Sequence, residues 1–234
     1  MRDIPGQPHY VRDYRRLVSR LATSRSRHEA MALAVGDGDF HRVGASERSV
    51  LEAEGLQETH YIIDAGCGSG RLATALNDMP QLRYLGTEVV PELLNYAMES
   101  ALRSDWRFEL VDGLTIPETD PQADIVTFFS VLTHLKQAEQ IAYLREAARV
   151  LKPGGKVVAT FLDPAKIPKL LAARVVASRI KRIIRSGGIY SSLATERTMT
   201  KVGRMAGLEA RFPGYSGSGQ NVCVYHRSGE TVSP

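Results

Sequence analysis

The stretch that decides the fold is YIIDAGCGSGRLATAL, residues 61–76. A short apolar run reaches Asp64, and three glycines follow at alternate positions, Gly66, Gly68 and Gly70, before a helical pattern begins. A strand that turns through glycines into a helix is typical of the first βα unit of a doubly wound sheet, where glycine lets the backbone approach a ligand closely. The pattern therefore predicts a ligand that is bound largely by backbone groups at the carboxyl end of the first strand.

The segments that follow this stretch alternate between strand and helix patterns. Strands are predicted at 60–65, 82–89, 106–113, 123–130 and 156–162, and helices at 71–78, 91–102 and 135–151. The fourth strand is apolar on both faces, as a central parallel strand should be. A later helix leads into a strand and then into a last strand, 221–227, which can pair antiparallel. The order predicts an α/β fold with a doubly wound, mostly parallel sheet of seven strands and an antiparallel last strand.

The length of 234 residues predicts a single domain. Its expected parts are an N-terminal helical arm or cap (1–56), a ligand-binding core (57–163), a basic helical insertion or lid (164–195), and a C-terminal helix with a hairpin (196–234). Within the arm we expect a helix over 8–34 that breaks near 23–27, and a short helix over 46–56 with Ser46 as its N-cap. The apolar residues of 164–186 do not form one stripe, which predicts two helical pieces or a bend there.

The composition excludes several classes of protein. Apolar residues make up 43% of the chain, but no run approaches the roughly 18 residues of a membrane span, and no apolar segment follows the N-terminal charges as a secretory signal requires. The two cysteines, Cys67 and Cys223, lie in dissimilar contexts, so we expect neither a disulfide nor a metal site, and a cytoplasmic location. The net charge of +4 is too small to argue for a nucleic-acid partner.

The residues around the glycines discriminate between two classes of ligand. Dinucleotide-binding loops use G-x-G-x-x-G, because the pyrophosphate lies at a helix N-terminus. Here Arg71 stands where that pattern needs its last glycine, and Asp64 precedes the first. A carboxylate at that position would repel a pyrophosphate and attract an ammonium group. The loop therefore favours a nucleoside that carries an amino acid over a dinucleotide.

At Asp64–Gly70 the chain resembles the first motif of the class I S-adenosylmethionine (SAM) dependent methyltransferases. Further matches follow in order: Glu88 resembles the acid that binds both ribose hydroxyls, Asp112-Gly113 resembles the pair that recognises adenine, and the end of the fourth strand at 130–132 corresponds to a backbone contact with the amino group. The segment 149–158 resembles the family's loop before the fifth strand. The resemblance covers roughly residues 40–162 and resumes at the final hairpin.

The resemblance implies SAM as cofactor, S-adenosylhomocysteine (SAH) as product, and no metal. The residues that it places at the cofactor are Asp64, Gly66, Cys67, Gly68, Gly70, Arg71, Glu88, Val89, Asp112, Gly113, Leu114, Ser130, Val131 and Leu135. Each has a plain structural alternative: the glycines as turn residues, Asp64 as a helix cap, Glu88 and Asp112 as solvated acids, and Cys67 as a small filler.

Two residues are candidates for a general base. His134 follows the fourth strand, where a methyl acceptor must lie, and a neutral imidazole there can accept a proton from an acceptor hydroxyl. The alternative is that it caps the next helix or lines the ligand pocket. Asp163, at the end of the fifth strand, is the second candidate. The candidates for the wall of the acceptor site are Tyr10, Phe40, His41, Tyr190 and Tyr215.

The sequence favours a small-molecule acceptor of the kind found in natural-product, glycan or lipid tailoring. The Asn/Asp-Pro-Pro-aromatic signature of amino-group methylation on nucleic acid is absent after the fourth strand, and so is the cysteine nucleophile of pyrimidine carbon methylation. Oxygen methylation is the first choice, then nitrogen, then carbon. A SAM-binding module without catalysis and a nicotinamide-dependent oxidoreductase are the alternatives from other classes.

The segment 164–186 carries seven basic residues and no acid. It is interpreted as a solvated helix face, as a lid that contacts an anionic substrate, or as a helix on an anionic membrane surface. The oligomeric state stays open.

Overall fold

The structure, a computed structural model, describes residues 7–36, 39–164, 189–217 and 219–229. Its strands are β1 (Tyr61–Ala65), β2 (Arg83–Glu88), β3 (Arg107–Leu110), β4 (Ala123–Phe128), β5 (Leu151–Phe161), β6 (Leu208–Tyr215) and β7 (Asn221–Arg227). Its α-helices are α1 (His9–Ala22), α2 (Arg27–Ala34), α3 (Phe40–Ala53), α4 (Arg71–Leu76), α5 (Pro91–Ala101), α6 (Gln137–Val150) and α7 (Glu196–Met205).

The seven strands form one sheet in the order β3-β2-β1-β4-β5-β7-β6. β1 pairs parallel with β2 on one side, with Ile63 opposite Leu85, and with β4 on the other, with Ile63 opposite Val126. β7 pairs antiparallel with both β5 and β6. The prediction of a doubly wound, mostly parallel sheet with an antiparallel last strand is confirmed.

The central strands are buried because helices cover both faces of the sheet. Successive residues of β1 point to opposite faces: Ile62 packs in a cluster with Leu72 and Leu76 of α4, and Ile63 in a cluster with Leu144 and other residues of α6. Both isoleucines are fully buried. This two-sided burial explains why the central strands are continuous apolar runs.

The N-terminal helices are positioned by their caps. α2 begins after Ser26, whose hydroxyl accepts from the Glu29 amide while the Glu29 carboxylate accepts from the Ser26 amide, so the predicted break near 23–27 is confirmed.

The prediction for α3 is wrong at its start. The helix begins at Phe40, capped by the side chain of Asp39, which accepts a hydrogen bond from the Arg42 amide. Ser46 lies inside the helix and does not cap it. The physical reason is that Asp39 supplies a cap about two turns earlier, after the Gly/Asp loop. As a result α3 reaches the glycine loop, and Gly44 packs directly on the backbone of Arg71.

Most of the basic segment, residues 165–188, lies outside the described residues, so the predicted helical insertion stays a prediction. Among the described residues, no helix combines the length and the apolar character needed to cross a membrane.

Gly70 closes the glycine loop and starts α4. Its φ of 84° lies in the left-handed region, and a Cβ built there would lie 2.8 Å from the Cα of Ala97 in α5. The loop therefore needs glycine here both for its backbone angle and for the close approach of α5.

Gly70→Ala should destabilise the protein by about 2–4 kcal/mol, because left-handed strain and a clash with backbone add. Gly55→Ala is the matched control: its φ is 79°, but no atom lies within 4 Å of a built Cβ. The control should lose only about 1–2 kcal/mol. Urea unfolding of both variants measures the difference; equal losses would show that the contact with α5 contributes nothing.

Candidate ligand-binding and active site

A cavity lies at the carboxyl ends of β1, β2 and β4, where doubly wound sheets bind their ligands. Most of the predicted cofactor residues line it: Asp64, Gly66, Cys67, Gly68, Arg71, Glu88, Val89, Gly113, Leu114, Ser130, Val131 and Leu135. Tyr10 and His134 of the other predicted sets line it as well. The structure thus brings together residues that are more than one hundred positions apart in the chain.

Glu88 is buried at the end of β2 and is held by backbone amides. One carboxylate oxygen accepts from the Gly68 amide at 3.0 Å, and the other accepts from the amides of Val89 and Val90 at 2.7 and 3.0 Å. Burial raises the pKa of Glu88 to about 7, although these three amides favour the ionised form. The carboxylate is therefore fixed in orientation, with lone pairs left for hydroxyl donors.

Asp64 is buried at the end of β1 and accepts hydrogen bonds from side chains of the two neighbouring strands. Its two oxygens accept from the hydroxyls of Tyr84 and Thr127, each at 2.7 Å. Burial raises the pKa of Asp64, while these two hydrogen bonds and the charge of Arg71 act in the opposite direction. Asp64 thus orders the strand ends behind the glycine loop, in addition to facing the cavity.

Arg71 lines the cavity together with a residue that the sequence analysis missed, Glu47 of α3. The guanidinium donates a hydrogen bond to the carbonyl of Val35, and Arg71 is nearly buried. Burial raises the pKa of Glu47 to about 8, against the lowering effect of the Arg71 charge. The lining therefore combines ionisable acids with a guanidinium group.

Ser130 has a φ of 60°, which is unusual for a residue other than glycine. Its amide donates to Thr160 Oγ1 at 2.8 Å, and its hydroxyl accepts from Gln220 Nε2 at 2.5 Å. These bonds hold the loop after β4 in place and connect it to the hairpin β6–β7. The turn directs the chain into the short 3₁₀ helix Leu132–His134.

His134 is half-buried and lines the cavity, and one contact identifies the tautomer of its neutral ring. Nδ1 lies 2.8 Å from the backbone oxygen of Tyr190. A carbonyl oxygen only accepts, so Nδ1 carries the hydrogen, and a neutral ring then has its lone pair on Nε2. The ring of Tyr14 packs edge-on against the imidazole, with centroids 5.3 Å apart.

Helix α1 covers the cavity with Tyr10 and Tyr14. Its first residue, His9, contacts Glu139 Oε2 of α6 through Nε2 at 3.0 Å, and its ring packs edge-on against Tyr190. Burial, with the charges of Glu139 and Asp112, raises the pKa of Tyr10 to about 12. Tyr10 is therefore neutral over the physiological pH range.

The structure places several predicted residues away from the cavity lining. Gly70 lies behind it against α5, and Asp112 is exposed between the lining residues Val111 and Gly113. Asp163 is 5% exposed but does not line the cavity.

Three of the predicted acceptor-wall residues also lie elsewhere. Phe40 packs among His28, His41 and Tyr96. His41 lines a separate depression with Arg48 and Ala75. Tyr215 is 56% exposed on the edge strand β6. Tyr190 does not line the cavity either, but its backbone oxygen contacts the lining residue His134 and its ring packs against His9.

The lining also contains residues that sequence reasoning missed. They are Tyr14, Val35, Glu47, Leu72, Thr87, Leu93, Val111, Phe129 and Tyr143. One of them could have been found from the sequence. Glu47 lies on the helix face that α3 buries, with Val43, Gly44 and Leu51, and a charged residue on a buried face is unusual. The others are Thr87 and apolar or aromatic residues, whose position at the cavity depends on tertiary packing.

The donor groups fit SAM. A fixed, buried carboxylate at Glu88 can accept from two ribose hydroxyls, and glycine amides and the apolar side chains of Val89 and Leu114 leave a slot for an adenine. The buried acids of the lining and Arg71 suit an amino acid with both charges. Among the described residues, no group of three or more His, Cys, Asp and Glu side chains could hold a metal ion.

Known proteins are similar to this chain. A family model described as a methyltransferase domain matches residues 62–155. The chain is 31% identical over 131 residues to a ubiquinone biosynthesis O-methyltransferase of Xanthomonas oryzae pv. oryzae, a match that covers 54% of this chain and 52% of that protein. It is 25% identical over 176 residues to a 27-O-demethylrifamycin SV methyltransferase of Amycolatopsis mediterranei, covering 74% and 60%. The chain thus spans about half the length of the Xanthomonas relative.

The fold is also similar to that of a solved methyltransferase structure. A TehB-like SAM-dependent methyltransferase from Corynebacterium glutamicum superposes with a TM-score of 0.58 at 22% identity, covering 90% of this chain and 98% of that one. The doubly wound sheet, the glycine loop and the fixed acid at the end of β2 together define a class I methyltransferase domain. Residues 62–155 therefore form a methyltransferase domain of this class.

Glu88→Ala should weaken the binding of SAH, because hydrogen bonds to a charged group contribute about 1.5–3 kcal/mol, or roughly ten- to a hundred-fold in affinity. Isothermal titration calorimetry measures the change. Glu58→Ala, at an exposed position outside the cavity, is the control and should bind as the wild type does. Unchanged affinity in Glu88→Ala would remove Glu88 from the site.

Proposed function

We propose that the protein transfers the methyl group of SAM to a hydroxyl group of a small molecule. The observation that carries this proposal is the position of His134, which lines the donor cavity and whose Nδ1 donates to the Tyr190 carbonyl, so that the lone pair of the neutral ring is on Nε2. The similarity to a ubiquinone biosynthesis O-methyltransferase and to a 27-O-demethylrifamycin SV methyltransferase supports oxygen methylation of a small molecule.

SAM supplies a methyl group on a sulfonium, which is a good leaving group, so the protein's work is mainly positioning. Glu88 and the glycine loop fix the nucleoside, and the loop after β4 sets the direction in which the methyl group faces. The methyl carbon forms a bond to the acceptor oxygen as its bond to sulfur breaks, and SAH leaves. His134 Nε2 accepts the proton of the hydroxyl.

The cover over this site supports a small acceptor. Tyr10 and Tyr14 of α1 and Leu135 enclose the space beside His134 with aromatic and apolar surface. Such a wall excludes water and binds the carbon frame of a metabolite, as expected of biosynthetic or secondary metabolism. Both cysteines are unpaired and buried, in accord with a reducing, cytoplasmic location.

The test of the donor is calorimetry with SAM and with NAD. SAM should bind with at least micromolar affinity and NAD should not bind, since Asp64 precedes the loop and Arg71 replaces the last glycine of a dinucleotide motif. If NAD binds well while SAM binds no more tightly than millimolar, the proposal is wrong. A screen of hydroxylated, amino and carbanion-forming metabolites, read as SAH formed, then tests the acceptor atom. A protein that binds SAM but forms SAH with no acceptor would be a binding module.

His134→Gln should lower kcat by about 10²–10⁴-fold with little change in SAM affinity, because the base acts on the acceptor and not on the donor. His60→Gln, at the opposite end of β1, is the matched control and should keep wild-type turnover. Single-turnover rates and calorimetric SAM affinity measure the two effects. Equal loss of both in His134→Gln would make His134 a pocket residue and not a base.

A further inference from the structure

Glu47 is a buried carboxylate that the mechanism above does not use. It lies on the buried face of α3, is 7% exposed, and lines the cavity with Asp64 and Arg71. Within residues 7–36, 39–164, 189–217 and 219–229 it makes no hydrogen bond and no ion pair. Burying a carboxyl group without a partner costs several kcal/mol, so its retention at a cavity wall points to a partner that arrives with the ligand.

The other two acids of the cavity differ from Glu47 in this respect. Both oxygens of Asp64 accept from hydroxyls, at 2.7 Å each, and both oxygens of Glu88 accept from backbone amides. Their orientations are fixed and their charges are partly compensated before any ligand binds. Among the described acids of the cavity, Glu47 alone is uncompensated.

Three groups face Glu47 from the elements around it. They are Arg71 of α4, Asp64 of β1 and Tyr84 of β2. The charge of Arg71 favours the ionised carboxylate and that of Asp64 opposes it, but burial outweighs both and raises the pKa of Glu47 to about 8. The guanidinium of Arg71 is turned toward the carbonyl of Val35 and forms no ion pair with Glu47 within the described ranges.

We propose that Glu47 binds the α-ammonium group of the donor's methionine moiety, with the neighbouring Arg71 facing its carboxylate. The proposal rests on the proposed function, in that the donor is SAM. It assigns the amino-acid end of the donor to the N-terminal arm, whereas the sequence motifs assign it to Asp64 and the loops. An amino acid with both charges compensates Glu47 and Arg71 together, which neither residue achieves for the other.

The proposal has a consequence for protons. In the free protein at pH 7 the carboxyl group of Glu47 is mostly protonated, because its pKa of about 8 lies above that pH. An ammonium group binds the ionised form, so the pKa of Glu47 falls on binding and its proton passes to the buffer. SAH, whose amino group is already protonated at pH 7, should therefore bind with release of close to one proton. Its affinity should rise as the pH approaches 8.

The first experiment compares two ligands and two variants. SAH carries the amino acid, and 5′-methylthioadenosine keeps the nucleoside and lacks it. Glu47→Gln should lose roughly ten- to a hundred-fold in SAH affinity, the range for a hydrogen bond to a charged group, and should bind 5′-methylthioadenosine as the wild type does. Glu52→Gln, an exposed position on the same helix, is the matched control and should bind both ligands normally.

The second experiment counts protons. Calorimetry at pH 7 in two buffers of different ionisation enthalpy measures the protons released on binding. Glu88, whose pKa of about 7 leaves it partly protonated, can contribute with both ligands because both carry the ribose, so the readout is the difference between the ligands. The wild type should release close to one proton more with SAH than with 5′-methylthioadenosine, and Glu47→Gln should show no such difference.

The outcomes separate this proposal from the proposed function. Three results would overturn the role of Glu47 and leave SAM as the donor: equal SAH affinity in Glu47→Gln and wild type, equal loss of affinity for both ligands, or a difference in proton release between the two ligands that persists in the variant. A wild-type protein that binds neither SAM nor SAH would overturn both.

Discussion

The hydrogen bond from the Gly68 amide to the Glu88 carboxylate joins the glycine loop after β1 to the end of β2. Each of these strands is paired on both sides, and all their residues except Arg83 are buried, so this bond fixes the loop relative to the centre of the sheet. Because Glu88 also accepts from the amides of Val89 and Val90, one side chain determines the backbone of two loops at once. The geometry of the donor site follows from this constraint, since the loop amides and the carboxylate cannot move separately.

Asp64, at the end of the neighbouring strand β1, is a second buried carboxylate that connects separate parts of the sheet. Its contacts with Tyr84 of β2 and Thr127 of β4 connect the three central strands at their carboxyl ends. A buried carboxylate with its partners in place restricts the strand ends to one register, because a shift of one residue would leave it unpaired. The polar layer below the cavity thus supports the ligand site and the sheet together.

The parts of this structure that follow from local pattern were predictable from sequence. The central strands are uniform apolar runs between glycine and proline signals, and the motif residues Asp64, Gly68 and Glu88 lie at strand ends where the alternation predicts them. The start of α3 was not predicted, since Asp39 and Ser46 both precede helical patterns and the choice between them depends on tertiary packing. That error concealed Glu47, which a helix starting at Phe40 places in its buried stripe. Tyr14 and the ring contact with His134 depend on the docking of α1, which no local spacing encodes.

The cavity is built from two unequal sources. The sheet and its loops form the donor side from residues that are close in sequence to the strands, while Tyr10 and Tyr14 come from a helix that precedes β1 by some forty positions. Substitutions on that helix face change the shape offered to an acceptor without altering a single strand pairing. Because the two sides of the cavity come from different segments, the fold is evolvable. A lineage can acquire a new acceptor through substitutions on α1, while the binding site of the methyl donor is inherited unchanged.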